Sequence, residues 1–368
     1  MKYMGSKTTM LKNGLGALLL SQAETANRVF DPFCGSAAVT WFIAQKTSKT
    51  VFAGDLQKYS VDLANSVLLR TAPLSQVQHR KITLCISEAK KNYFYLYNKT
   101  HLTQSVECVD YNIKLSINSP FNITRAYGGY YLSYNQAIMI DMLLNNLPDD
   151  EDLKSIMLSA IIEATSQCVA APGHTAQPFK PRNKGLKAIM EAWRRDPIIY
   201  TERAINKLSL IHAKQVGEAS ITDANHLLKN LEENDLVFLD PPYSGVHYSR
   251  FYHVLESVAR NEPIEVSGTG RYPSPSHRPK SDFSLRSKSS DAIENIFATI
   301  SERKAKAIIT YPAEGTSNGL SGLGIKEIAR KYFNVKKELV KGRFSTLGGN
   351  NLNRPARLLS TELILLLE

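Results

Sequence analysis

The sequence predicts an α/β fold built on a mostly parallel sheet. Three observations carry that prediction. Strand-like apolar runs alternate with helical stretches from the amino terminus to residue 70, a βαβα start. The same alternation resumes near residue 200. The run Leu236-Val237-Phe238-Leu239 is short, wholly apolar and closed by Asp240-Pro241-Pro242-Tyr243. That is the pattern of a parallel strand buried on both faces that ends in a rigid turn.

In chain order, residues 1–70 read as a helix, a strand at 28–31, a helix at 36–46, a strand at 50–55 and a helix at 58–70. Between about 71 and 204 the character changes. Tyr93, Tyr95, Tyr97, Tyr111, Tyr127, Tyr130, Tyr131 and Tyr134 crowd this region, and helical patterns occupy 135–147 and 151–168. Ala170 to Phe179, with Pro172, Gly173 and Pro178, is a loop-like run, and Lys180, Arg182, Lys184, Lys187, Arg194 and Arg195 follow it. Leu208 to Ala213, Leu236 to Asp240 and Ala305 to Tyr311 read as strands. Val266 to Ser290, rich in Ser, Pro, Arg and Lys, reads as a long basic loop, functional or disordered at that length. Residues 321–332 read as a helix, and Val335 to Phe344 with Leu359 to Leu367 as a closing antiparallel pair.

With 368 residues the chain has room for one large domain with an insertion, or for two domains. The net charge of +11 and pI near 9.3 favour a polyanionic partner over a merely basic surface. No apolar run is long enough to span a bilayer, and Leu15 to Leu20 lacks the length and cleavage pattern of a signal peptide. The expectation is a soluble, cytoplasmic protein with no membrane partner. Cys34, Cys85, Cys108 and Cys168 form no Cys-x-x-Cys pair and have no His at ligand spacing, so no metal site is expected and the thiols read as reduced.

The turn at 240–243 is the chemical centre of the sequence. Ligands of open α/β sheets bind at the carboxyl ends of the strands. A carboxylate, a carbonyl freed by two prolines that lack N–H groups, and a flat ring together suit a planar amino group on a planar base.

Asp240-Pro241-Pro242-Tyr243 resembles the catalytic tetrapeptide of DNA N6-adenine methyltransferases, and further segments agree in order. Lys2-Tyr3-Met4-Gly5-Ser6-Lys7 resembles the aromatic-x-Gly-x-Lys opening of the Dam-like (D12 class, alpha-group) branch. Asp31-Pro32-Phe33-Cys34-Gly35-Ser36-Ala37 resembles the loop that holds S-adenosylmethionine, with Ala37 standing where the family has its last glycine. Asp55 matches the acid that takes the ribose hydroxyls, and Asp223 the acid that contacts the cofactor adenine. Ser345, Gly348, Gly349, Arg354, Arg357 and Glu362-Leu363 resemble the family's last segment.

The resemblance implies a Rossmann-like methyltransferase fold with a mostly parallel seven-stranded sheet. The S-adenosylmethionine-binding catalytic domain would take residues 1–70 and 205–368, and a mainly helical target-recognition domain would be inserted at 71–204. It implies cofactor contacts from Tyr3, Lys7, Asp31, Phe33, Cys34, Gly35, Ser36, Asp55, Asp223 and Asp240. It implies catalysis by Asp240, Pro241, Pro242 and Tyr243: the Asp240 side chain and the Pro241 carbonyl accept the two N6 hydrogens, and Tyr243 stacks on the extruded base. Lys7 pairs with the methionine carboxylate or with Asp240.

The implied substrate is duplex DNA, from which the adenine must be flipped because N6 lies within the paired stack. His174, Gln177, Lys180, Arg182 and Asn183 are candidate base readers, and Arg125, Lys184, Arg278 and Lys280 join them as DNA contacts, some to phosphate alone. A cognate restriction endonuclease is a candidate partner, and the enzyme is expected as a monomer or weak dimer. Three other readings stand beside this one: an RNA adenine or protein methyltransferase, a non-catalytic DNA-binding subunit of a restriction complex, and a nicotinamide-dependent oxidoreductase. The last is opposed by the lack of Gly-x-Gly-x-x-Gly after the first strand.

Overall fold

The computed structural model describes residues 7–96, 101–345 and 357–368. It divides into two compact units, one holding 72–211 and 249–278, the other 7–71, 212–248 and the described residues from 279 onward.

The second unit is built on a seven-stranded sheet among the described residues. Its strands are β1 (Val29–Asp31), β2 (Val51–Asp55), β3 (Glu218–Ile221), β4 (Leu236–Leu239), β7 (Lys306–Pro312), β8 (Val335–Ser345) and β9 (Arg357–Leu367). Their order is β3-β2-β1-β4-β7-β9-β8. All neighbours from β3 to β7 pair in parallel, and β9 runs antiparallel to both β7 and β8. The expected fold class and the closing antiparallel pair are therefore observed.

Burial explains why the central strands read as continuous apolar runs. β1 and β4 are buried at every residue and β7 at its five inner ones. Helix Ser289–Glu302 covers the sheet with Ile293, Ile296, Phe297 and Ile300, a stripe at helical spacing. Each such side chain contributes roughly 1.5–3 kcal/mol on burial.

The first unit is mainly helical, with helices Gln76–Leu96, Val106–Ile117, Asn122–Tyr127, Tyr134–Asn145, Glu151–Cys168, Lys184–Trp193, Pro197–Leu208 and His253–Arg260. Local chemistry sets several of their starts. Ser133 and Gln136 form a capping box, the Asp150 side chain accepts from Leu153 N, and Asp196 caps a helix that opens on Pro197. Its polar core joins Tyr127, Tyr131 and His253. The Tyr127 hydroxyl lies 3.2 Å from His253 Nδ1 and 2.8 Å from Ser257 Oγ, and the Tyr131 hydroxyl lies 2.6 Å from Thr175 O and 2.9 Å from Gly270 O, its one proton shared between them. Burial pushes His253 down to about 3, so the ring is neutral. Among the described residues no helix is long and apolar enough to cross a membrane.

Two expected elements are corrected. Leu208 to Ala213 is not a strand: helix Pro197–Leu208 extends to Leu208, and the strand is Glu218–Ile221. Ile198, Thr201, Ala204, Ile205 and Leu208 form one buried helical stripe, so the apolar residues near 208 belong to a 3.6-residue period. The strand itself lies at the sheet edge with two exposed residues of four, and Glu-Ala-Ser-Ile carries little apolar signal. Val266 to Ser290 is not a structureless loop either. It holds the antiparallel pair β5 (Val266–Ser267) and β6 (Tyr272–Pro273), two short 3₁₀ turns, and the first residues of helix Ser289–Glu302. Arg271, within this basic stretch, donates to the carbonyls of Ala126 and Arg125 and covers the Tyr130 ring at 4.6 Å.

Candidate active site

From β1 the chain proceeds to β2 and β3 on one side of the sheet, while β4 and β7 lie on the other. The carboxyl ends of β1 and β4 therefore form a topological switch point, where open α/β sheets hold ligands. Asp31 ends β1, Asp55 ends β2, Asp223 lies just beyond β3, Asp240 follows β4 and Pro312 ends β7. Because β9 is antiparallel, it brings Glu362 opposite Pro312 at this same edge.

The loop after β1 is fixed by short-range bonds. Cys34 N donates to Gly54 O at 3.0 Å, Ala37 N to Cys34 O at 2.7 Å, and Gly35 N to Asp55 Oδ2 at 3.0 Å. Asp55 Oδ1 accepts from Gln57 N at 3.0 Å. Gly35 and Ala37 both adopt left-handed backbone, with φ of 49° and 58°. Ala37 thus occupies a conformation that glycine reaches without steric cost.

Asp31 is only 1% exposed. Its Oδ2 accepts from Thr40 Oγ1 at 2.6 Å, while Oδ1 has no partner at ordinary hydrogen-bond geometry among the described residues. Burial, opposed by Thr40 and the Phe33 amide and reinforced by Asp240 and Asp55, raises this carboxyl to about 7. Cys34 is buried as well, and burial pushes its thiol well up, which leaves it unreactive as a nucleophile.

Asp240 is held by one oxygen. Lys7 Nζ lies 3.0 Å from Oδ1, and Thr310 Oγ1 donates to the same atom at 3.0 Å. Among the described residues no donor reaches Oδ2. Lys7 Nζ also lies 3.0 Å from Glu362 Oε2, so one buried ammonium bridges two carboxylates. Burial works against the Lys7 charge, yet Asp240 and Glu362 hold its pKa above the ordinary lysine range. Burial raises Asp240, Lys7 counters it, and Glu362 adds to the rise.

The rest of the turn is braced from the side. Pro241 is buried. The Tyr243 ring meets Tyr248 and Tyr311 edge-on at centroid distances of 6.4 and 6.3 Å. Asn318 donates to Pro242 O at 3.0 Å, and Gly245 N to Ser317 Oγ at 2.9 Å.

The structure thus brings Lys7, Asp31, Cys34, Gly35, Asp55 and Asp240 to one edge of one sheet. Phe33 packs edge-on against Phe283 at 5.0 Å, Ser36 is half-buried, and Asp223 is exposed, capping a short helix and accepting from Asn225. Tyr3 lies outside the described residues, as do Gly348, Gly349 and Arg354. In the other unit Gln177, Lys180, Arg182, Asn183 and Lys184 are exposed on one continuous segment. His174 is buried there, with Nδ1 accepting from Ala176 N, and Arg125 donates to Ser119 O and Asn122 Oδ1. Arg278 is half-buried near the Tyr272 ring, and Lys280 in the sheet unit is exposed. Sequence reasoning gave no role to Thr40, Thr310, Asn318 or Glu362. The signals available were a lone threonine in the apolar run Ala307-Ile308-Ile309-Thr310 and the place of Glu362 in the segment that resembles the family's last.

Residues 3–310 match the family described as D12 class N6 adenine-specific DNA methyltransferase. The chain belongs to that family. It is 22% identical over 312 residues to modification methylase LlaI of Lactococcus lactis subsp. lactis, a match covering 82% of this chain and 44% of the relative. It is 24% identical over 325 residues to modification methylase StsI of Streptococcus sanguinis, covering 86% of this chain and 44% of the relative. With the type II methyltransferase M.FokI of Planomicrobium okeanokoites it shares 23% identity over 290 residues, 74% of this chain and 39% of the relative. The chain spans less than half the length of these relatives. Within this D12 class chain the family match takes in Asp31, Asp55 and Asp240 and ends at Thr310, one of the two donors to Asp240 Oδ1; Glu362 lies beyond it.

Proposed function

We propose that this chain methylates N6 of an adenine turned out of duplex DNA, at a specific sequence, with S-adenosylmethionine as the donor. One observation carries the reading: the Asp240 carboxylate is pinned through Oδ1 by Lys7 and Thr310, and Oδ2 is left with no described donor. A carboxylate oriented in this way accepts a hydrogen bond from an incoming amino group at one defined atom.

The residues around Asp31 suit the cofactor. Asp31 Oδ1 is a buried acceptor without a partner among the described residues, as the ammonium of a methionine moiety requires. Asp55 offers the acceptor chemistry for ribose hydroxyls next to Gly35, and Asp223 lies past the end of the neighbouring strand. Asp31, Asp55, Asp240 and Glu362 outnumber Lys7, an excess of negative charge that favours a cation. When bound, S-adenosylmethionine supplies a methyl already activated on a sulfonium.

The protein's own part is to place and polarise the amino group. Asp240 Oδ2 and the Pro241 carbonyl accept its two hydrogens and localise the nitrogen lone pair. Burial keeps Asp240 more basic than an exposed carboxylate, which suits it to take the proton that N6 loses. Tyr243, braced by Tyr248 and Tyr311, supplies a flat wall for the base. Turning the base out costs a few kcal/mol, which contacts to the duplex must offset.

The helical unit is the target-recognition part in this reading, with Gln177, Lys180, Arg182, Asn183 and Lys184 facing the nucleic acid. The modification methylases among its relatives support a place in restriction–modification, with an endonuclease of the same specificity as partner. The test is to incubate the chain with S-adenosylmethionine and unmethylated genomic DNA and to sequence single molecules. N6-methyladenine in one repeated sequence context is expected. DNA that stays unmodified, or carries methyl groups on cytosine, would overturn the reading.

A further inference from the structure

The Asp-Pro-Pro-Tyr turn cannot brace itself. Pro241 and Pro242 have no N–H group, so neither can donate a backbone bond that would fix the turn. The brace comes from 70 or more residues away in sequence. Asn318 is fully buried, and every hydrogen-bonding group of its amide is engaged. Its Nδ2 donates to Pro242 O at 3.0 Å and to Phe283 O at 2.9 Å. Its Oδ1 accepts from the Tyr311 hydroxyl at 3.0 Å and from Leu320 N at 3.2 Å, with the Thr316 hydroxyl at 2.5 Å. Two carbonyls on one side and three donors on the other leave a single amide orientation that satisfies all of them. Its backbone carbonyl is held as well, accepting from Ser289 Oγ at 2.9 Å.

Tyr311 is the wall that meets Tyr243 edge-on, and its hydroxyl ends on Asn318. One amide therefore grips both the backbone of the turn and the support of its aromatic ring. We propose that Asn318 is the positioning residue of this turn, setting the carbonyl that follows Asp240-Pro241 and the plane of Tyr243 without touching the base. This rests on the methyltransferase reading above, because it assigns the turn its task. The two carbonyls belong to separate segments, the turn and the 3₁₀ segment Asp282–Ser284, so the amide ties one to the other.

The test is Asn318→Asp, which keeps the volume and replaces two N–H donors by an oxygen facing two carbonyls. Displacement of the turn by a fraction of an ångström to 1 Å is expected to lower kcat about a hundredfold. Cofactor Kd and DNA KM should remain those of the wild type, and unfolding should stay cooperative at a lower midpoint, because two buried carbonyls lose their donors. In DNA with 2-aminopurine at the target adenine, the fluorescence of the turned-out base should change, since its stack on Tyr243 is altered. Should Asn318→Asp fail to unfold cooperatively, Tyr311→Phe carries the test. It removes one hydrogen bond to Oδ1, and a drop in kcat of about fivefold with unchanged KM is expected. Near-wild-type kcat in the folded variant, or a loss of kcat matched by an equal loss of cofactor affinity, overturns the inference. Absence of methyl transfer by the wild type itself would instead sink the reading on which it rests.

Discussion

Asp31 and Asp240 are both aspartates at the carboxyl edge of the sheet, and their surroundings differ. Asp240 has a cation and a hydroxyl on one oxygen, so the other is directed, and its removal should strike the reaction rather than the cofactor. Asp240→Ala is expected to bind S-adenosylmethionine normally in calorimetry while methyl incorporation falls by about a thousandfold; transfer at near wild-type rate would dismiss it from catalysis. Among the described residues no cation pairs with Asp31. Its folded-state value, about 7, lies above that of the unfolded chain, so the folded protein binds a proton there more tightly. The ligand-free chain consequently loses stability as pH rises from about 4 to 7 and no more beyond that. A cationic ammonium against Oδ1 needs the carboxylate form, so affinity for the cofactor should rise over the same window. Below the folded value the slope is about tenfold per pH unit, and Asp31→Asn should flatten it. A cofactor affinity independent of pH across this range in the wild type would take Asp31 out of the site.

At the scale of elements, the site depends on one antiparallel strand. β9 pairs Glu362 with Pro312, which brings its carboxylate to Lys7 from the far end of the sequence. Glu362 raises the proton affinity of Asp240, so Glu362→Gln should move the acid limb of the kcat profile to lower pH; an unmoved limb would show that Lys7 serves Asp240 alone. The turn into helix Ala38–Lys46 holds a second consequence. Ala37 sits at φ 58°, where a Cβ is strained, so Ala37→Gly should stabilise the chain by about 0.5–1 kcal/mol in denaturant unfolding. An equal loss would mean that the methyl group packs more than the backbone strains. These elements also mark what a sequence can disclose. β1, β4 and β7 were legible because strands buried on both faces are continuous apolar runs, and helix Glu151–Cys168 because 18 residues without Gly or Pro follow the acidic cap Asp150. β3 was misplaced because an edge strand needs few apolar residues, and a helical stripe ending at Leu208 resembled it more than it resembled itself. Asp31, Asp55 and Asp240 stand at strand ends and could be found by reading forward. Thr310, Asn318 and Glu362 act on Asp240 and its turn only because the strand order folds distant segments onto it.

The molecule as a whole carries a charge of +11, and the proposed substrate is a polyanion. The two facts are linked by a measurable slope, because each phosphate neutralised releases condensed counterions. Lys180, Arg182 and Lys184 are exposed in one short segment of the helical unit, and none is paired with a carboxylate among the described residues. Arg271 and Arg125, by contrast, spend hydrogen bonds on their own unit. If the first three meet phosphates, log Kd for duplex DNA should vary steeply with log salt, and replacing all three by alanine should reduce the slope by about two to three. Fluorescence anisotropy at several salt concentrations measures this. Gln177 in the same segment predicts a different response. A side chain that reads a base edge changes which sequences are chosen and leaves the slope alone, so Gln177→Ala should broaden the methylated sequence context at constant salt dependence. A flat salt response in the wild type would count against a duplex partner. A slope that survives the triple substitution intact would instead move the phosphate-binding face to other residues of the chain.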